Sequence, residues 1–197
     1  MNIVANNTTG FGFQQIGTAI GSPPTFGARR YPINYSNATT IGKGCLVTLG
    51  ADGYISLSTT GDSGFLGVFD GGYKTDTSLP QRYTQFNAYI YSSTAVSGSV
   101  YGYVIDDPNA TFEGRVSGGP LATTDVGGNV SFVAGTTNTT TGLSTDLVSA
   151  TVVTNATMPW RVVGLGLGVS NDNSSTYNIV QVKLNASQLG STTGQTT

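Results

Sequence analysis

The chain has 197 residues, 38% of them hydrophobic and only 9% charged, with a formal net charge of −2 and a pI near 4.7. Folded domains usually carry about 25% charged residues; here Thr, Ser, Asn and 28 Gly stand in their place. Eight basic residues in all, with only Arg29 and Arg30 adjacent, do not make the clustered cationic face that grips phosphates, so nucleic acid is excluded as a partner.

Ten Tyr and eight Phe argue for a folded chain. A chain of this length buries roughly 70% of the surface of its unfolded form, enough for a core without staples. Cys45 is the single cysteine, so no intrachain disulfide forms. The start, MNIVANNTTG, lacks the basic and apolar regions of a signal peptide. The longest apolar run, residues 162–169, is far below the ~20 residues of a membrane span. The expectation is a soluble protein made in the cytoplasm, with no membrane partner.

Residues 1–40 read as an irregular N-terminal arm. It has paired prolines, scattered glycines and no stable period, yet it carries Phe11, Phe13, Phe26, Tyr31 and Tyr35. Such an arm must pack on something, either its own domain or a neighbour. From residue 41 to 190 the chain reads as a β-rich domain. Cys45 to Leu49, Tyr54 to Leu57 and Phe65 to Phe69 form strands separated by the turns Ala51-Asp52-Gly53 and Gly61-Asp62-Ser63-Gly64. Residues 83–93 bring Tyr83, Phe86, Tyr89 and Tyr91, and residues 99–106 alternate Val100, Gly102 and Val104 against Tyr101, Tyr103 and Ile105. Val130 to Val133 is a further strand. One helical turn is expected at 144–148, capped by Ser144 with Asp146 near its positive end. Trp160 to Val169 and Tyr177 to Leu184 form a hairpin around SNDNSS. Residues 191–197 are a frayed tail. One Glu and three Lys leave little else for helices, and the short spacing points to an all-β compact barrel or sandwich.

With no histidine, the His-dependent triads and most zinc sites are excluded, and Cys45 lacks its usual activating partner. Three of the ten acidic residues, Asp106, Asp107 and Glu113, fall together in YVIDDPNATFEGRV. Adjacent carboxylates at a strand end point to opposite faces, and Asp-Pro-Asn is turn chemistry, so strand–turn–strand is the favoured reading over catalysis or metal binding. Asp172 reads in the same way as a hairpin tip. The tyrosines 83, 89, 91, 101 and 103 could offer flat faces to a sugar, although sheet packing accounts for them more simply. No enzymatic activity and no cofactor or metal are expected.

The order of segments is a further signal. IGKGCLVTLGADGYI, FLGVFDGGYKT, VIDDPNATFEGRV, TGLS and WRVVGLGLGVSNDNSSTYNIVQVKLN follow one another over residues 40–185. This series resembles the capsid decoration (cement) or minor head proteins of tailed bacteriophages. The resemblance implies a β-tulip-like barrel and a homotrimer bound to the major capsid protein on the exterior of the virion, where it bridges capsomers. It implies no catalytic residues. The arm shares with that family only its glycines and phenylalanines, and its candidate capsid contacts are Phe11, Phe13, Phe26, Arg29 and Arg30.

Overall fold

In the computed structural model the described residues are 6–18, 27–34, 36, 39–62, 64–75, 84–87, 89–90, 99–168 and 171–190. The strands are β1 (Gln14–Thr18), β2 (Arg29–Pro32), β3 (Ile41–Gly42), β4 (Leu46–Leu49), β5 (Ile55–Leu57), β6 (Gly67–Thr75), β7 (Thr84–Asn87), β8 (Tyr89–Ile90), β9 (Tyr101–Ile105), β10 (Ala110–Ser117), β11 (Asn129–Val133), β12 (Leu147–Val153), β13 (Trp160–Leu165) and β14 (Ile179–Leu184). Among the described residues the only helical segment is a single 3₁₀ turn, Thr123–Asp125.

Two sheets organise the chain, and the expectation of an all-β barrel holds. In the first, β10–β12–β11–β13–β14 returns to β10 and closes a five-stranded barrel. β1 is an added strand. It pairs with β10 along Ala110–Glu113, on the edge that β12 takes over at Val116 and Ser117. The second sheet runs β2–β9–β6–β4–β5. A parallel bridge from Ile33 to Ile55 joins its two ends, so it too is nearly closed. Closure matters because an open strand edge is a template for unwanted pairing.

The second sheet is apolar on both faces along its middle strands. Leu46, Val68 and Ile105 point into the barrel core with Phe112, Phe132 and Trp160. Their chain neighbours Val47, Phe69 and Val104 point the other way, into a second core with Ile33, Ile41, Ile55 and Leu66. Period-two alternation thus splits one short run between two cores. Gly102 makes room in the second core: a Cβ there would lie 2.7 Å from both Ile55 and the Phe69 ring.

Two expectations need correction. The first concerns the irregularity of the arm and Phe13 as a capsid contact; of the arm's two expected places, its own domain or a neighbour, the described residues take the first. Gln14–Thr18 and Arg29–Pro32 are strands of the two sheets, and Phe13 is 2% exposed, its ring 4.5 Å from that of Trp160. A side chain sealed in the core cannot be a capsid contact. The segment packs here because half of the β10 edge is open to it and because Gly44 receives it: Phe13 N–H donates to Gly44 O at 2.9 Å. The second correction concerns the helical turn at 144–148. No helix forms there, so Ser144 is no helix cap: its hydroxyl accepts the Asp146 N–H in a two-residue turn, and LVSATVV, rich in β-branched residues, continues as β12. Phe26, Tyr35, Tyr83, Tyr91 and residues 191–197 lie outside the described residues, and only the backbone of Phe86 and Tyr89 is described, in β7 and β8.

Candidate functional site

The segment YVIDDPNATFEGRV is β9, a turn and β10. Asp107 closes the turn: its Oδ1 accepts the Asn109 N–H at 2.8 Å, and its carbonyl accepts the Ala110 N–H at 3.0 Å. Asp106 lies on the other side, 5% exposed, and accepts the Tyr31 hydroxyl at 2.6 Å. Arg29 Nε lies 3.5 Å from the same oxygen. Burial first, and then the hydrogen bond to Asp106, push the Tyr31 hydroxyl up to about 12. The two aspartates therefore do not face one reacting centre. Glu113 and Arg115, two apart on β10, share a face. The Arg115 guanidinium donates to the carbonyls of Asn7 and Thr9 and lies 5.3 Å from the centre of the Phe11 ring. Asp172 sits at the hairpin tip, where Ser174 donates from both its amide and its hydroxyl and holds the carboxyl below its usual range. No group of three potential metal ligands occurs among the described residues. None of the helices there is long and apolar enough to cross a membrane.

Of the five candidate contact residues, Arg30 comes together with tyrosines of β9, whereas its neighbour Arg29 does not. Adjacent strand residues point to opposite faces. Arg29 accordingly follows Tyr31 toward the rim of the second core, whereas Arg30, opposite Tyr103 in the β2–β9 register, joins the other face. On that face the Arg30 guanidinium carbon lies 4.6 Å from the centre of the Tyr101 ring, a cation–π distance. Tyr73 of β6 meets Tyr103 edge to face at 5.7 Å. With Thr75 and Ser99 these residues line a groove of about 380 Å³ that is open to solvent.

Tyr73 is the member the sequence pattern did not single out. Counted straight along β6, residues 69, 71 and 73 share a face, which would send Tyr73 into the second core with Phe69. A bulge intervenes: the register steps from Phe69 opposite Val104 to Gly71 opposite Tyr103, leaving Asp70 as the extra residue. One inserted residue flips every later side chain to the other face. Gly71 takes φ +129 there, and Asp70 turns aside to pair with Lys43 at 2.7 Å.

The pattern also gave no warning of a buried polar cluster between the two cores. Asp146 is 3% exposed and Ser144 fully buried. The Asp146 carboxylate accepts the Gly135 N–H at 2.8 Å and the Leu46 N–H at 3.4 Å. Burial still holds its carboxyl above the usual range. Burial, and then the charge of Asp146, likewise push up the thiol of Cys45 beside it. A thiol held protonated and sealed from solvent is structural rather than nucleophilic.

Comparison with protein-family models and with curated proteins returns no match.

Proposed function

We propose that this protein is a structural component of a phage virion. It binds the outer surface of the expanded capsid as a homotrimer and stabilises the shell by bridging copies of the major capsid protein. One observation carries the reading: the five segments that resemble decoration proteins, dispersed over residues 40–185, are neighbours in the fold. The first supplies the β4–β5 hairpin, the second β6, the third the β9–β10 turn and the last the β13–β14 hairpin. TGLS closes onto the first, with Lys43 N–H donating to Gly142 O at 2.9 Å and Ser144 N–H to Lys43 O at 2.8 Å. That the motif-bearing segments adjoin along one seam supports reading them together, as parts of one scaffold.

The physical properties suit the role. A coat protein sits at high local concentration, where sealed sheets resist edge-to-edge association. Symmetry repeats a modest contact many times, so a stable shell needs no single tight interface. The surface we assign to the capsid is the segment 6–11 and the loop beside it. There Phe11 lies half-buried over Arg115. Leu167 is 86% exposed between two glycines, on a loop whose Asn171 accepts the Asn6 amide at 3.1 Å. The test is co-sedimentation of the purified protein with expanded, undecorated heads of the phage that encodes it. Saturation near one trimer per threefold or quasi-threefold position is expected, weakened by Phe11→Ser and Leu167→Ser. Absence of binding by the folded protein overturns the reading.

A further inference from the structure

The groove on β2, β9 and β6 has the chemistry of a saccharide site, and we infer that it binds an acidic polysaccharide. This inference does not depend on the capsid reading. A pyranose ring has an apolar C–H face and a polar rim. Tyr73, Tyr101 and Tyr103 offer flat rings with polar tips, and Thr75 and Ser99 add hydroxyls at the margin. The rings stand on strands, and tyrosine gives large contact area with little rotamer entropy to lose. The volume, about 380 Å³, lies at the small end of ligand pockets, which run from about 300 to 1,000 Å³. Its open form suits a chain passing through better than a small molecule enclosed on all sides.

Charge decides which sugar. Among the described residues lining the groove Arg30 is the one ionic residue, and none of them is Asp or Glu. Of the two adjacent arginines, Arg29 is engaged by the buried Asp106, whereas among the described residues no carboxylate pairs with Arg30. Its guanidinium is steadied against the Tyr101 ring. A planar fork held by stacking is well suited to take a carboxylate through two parallel hydrogen bonds. The fitting ligand is therefore a uronate-bearing chain, with a sugar face on the tyrosines and its carboxylate on Arg30.

Affinity electrophoresis through gels containing polygalacturonate or alginate tests this, with dextran and poly-glutamate gels beside them. The two polyuronates should retard the wild-type protein while dextran does not. Arg30→Gln and Tyr101→Ala should each weaken retardation about tenfold or more, the scale of one lost charge-assisted contact. Tyr101→Phe, which keeps the ring, should retain it, and so should Lys183→Gln, which removes an equal charge from the first sheet. Unchanged near-ultraviolet circular dichroism establishes that each variant is folded. No retardation by either polyuronate overturns the inference. So does equal loss in Arg30→Gln and Lys183→Gln, which would mean non-specific attraction. Retardation by poly-glutamate as strong as by polyuronate would mark an acidic-peptide site and overturns it as well.

Discussion

Replacing Phe13 with alanine tests whether the segment before β1 belongs to the folded body. The ring is 2% exposed, 4.5 Å from Trp160 and tilted 43° to it. Gly114 on β10 leaves the space it fills, since a Cβ there would lie 3.0 Å from the Phe13 ring. Removing such a ring from a core costs about 3–5 kcal/mol, of which the aromatic pairing is about 0.5–1.5. Domain stabilities are about 5–15 kcal/mol, so the loss is a large share of the total. With a urea slope of about 2 kcal/mol/M, the midpoint should fall by roughly 2 M. Trp160 is the only tryptophan and is itself fully buried, so its fluorescence reports on the same core. Phe11→Ala, which removes a half-buried ring from Arg115, should cost about 1 kcal/mol or less. A Phe13→Ala midpoint within about 0.5 M of wild type would refute the reasoning, because the segment would then not be seated in the core in solution.

Asp146 has a distinctive pH signature. Its folded value lies above the unfolded one, so its contribution to stability is fully present below about pH 4 and is lost as pH rises through the folded value. The stability of wild type relative to Asp146→Asn, from urea midpoints, should therefore decline from pH 4 toward neutrality, and a rising difference would contradict the assignment. Cys45, 2% exposed and with its thiol pushed up, should react with thiol reagents at pH 8 only as fast as the protein unfolds, and at once in denaturant. Gly67 and Gly53 should behave oppositely on change to alanine. A Cβ on Gly67 would lie 2.2 Å from the Ile105 carbonyl and must separate β6 from β9. At Gly53, with φ +78 and open space around it, only the backbone penalty of about 1–2 kcal/mol applies. Thermal melts of the two variants give the order.

The strands were legible wherever one period governed them. The β13–β14 hairpin was legible because Trp160, Val162, Val180, Val182 and Leu184 face one core, although β13 ends at Leu165 short of the expected Val169 and a bulge between Val162 and Gly164 breaks its alternation. The run Leu46–Val47 was legible as a strand but not as a wall between two cores, since alternation says that two faces differ and not what covers each. The strands of the arm were missed because its glycines carry no hydrophobic period. Gly10 is needed for close approach, its place of Cβ being 2.3 Å from the Thr145 carbonyl, and that constraint is tertiary. Arg29 and Arg30 were legible as a pair, but their division between Asp106 and the tyrosine groove depends on which strand lies alongside. Tyr73 was hidden by the bulge at Asp70, a one-residue event without a residue type of its own.

Sharing strands between two cores has a thermodynamic consequence. If the cores were separate domains, loss of one would leave the other standing. Here Leu46 and Val47, Phe65 and Leu66, Val68 and Phe69, and Val104 and Ile105 are pairs of chain neighbours that send one side chain into each core. Melting the second core would free β4, β6 and β9 and strip Leu46, Phe65, Val68 and Ile105 from the first. Asp146 adds to the tie, since its two oxygens hold the amides of Leu46 and Gly135, one from each sheet's side of the seam. The two cores should therefore unfold in one transition. Phe69→Ala in the second core should move the Trp160 fluorescence midpoint as far as it moves the midpoint seen by far-ultraviolet circular dichroism. A variant in which Trp160 melts at the wild-type midpoint while part of the β signal is lost earlier would show the cores to be independent.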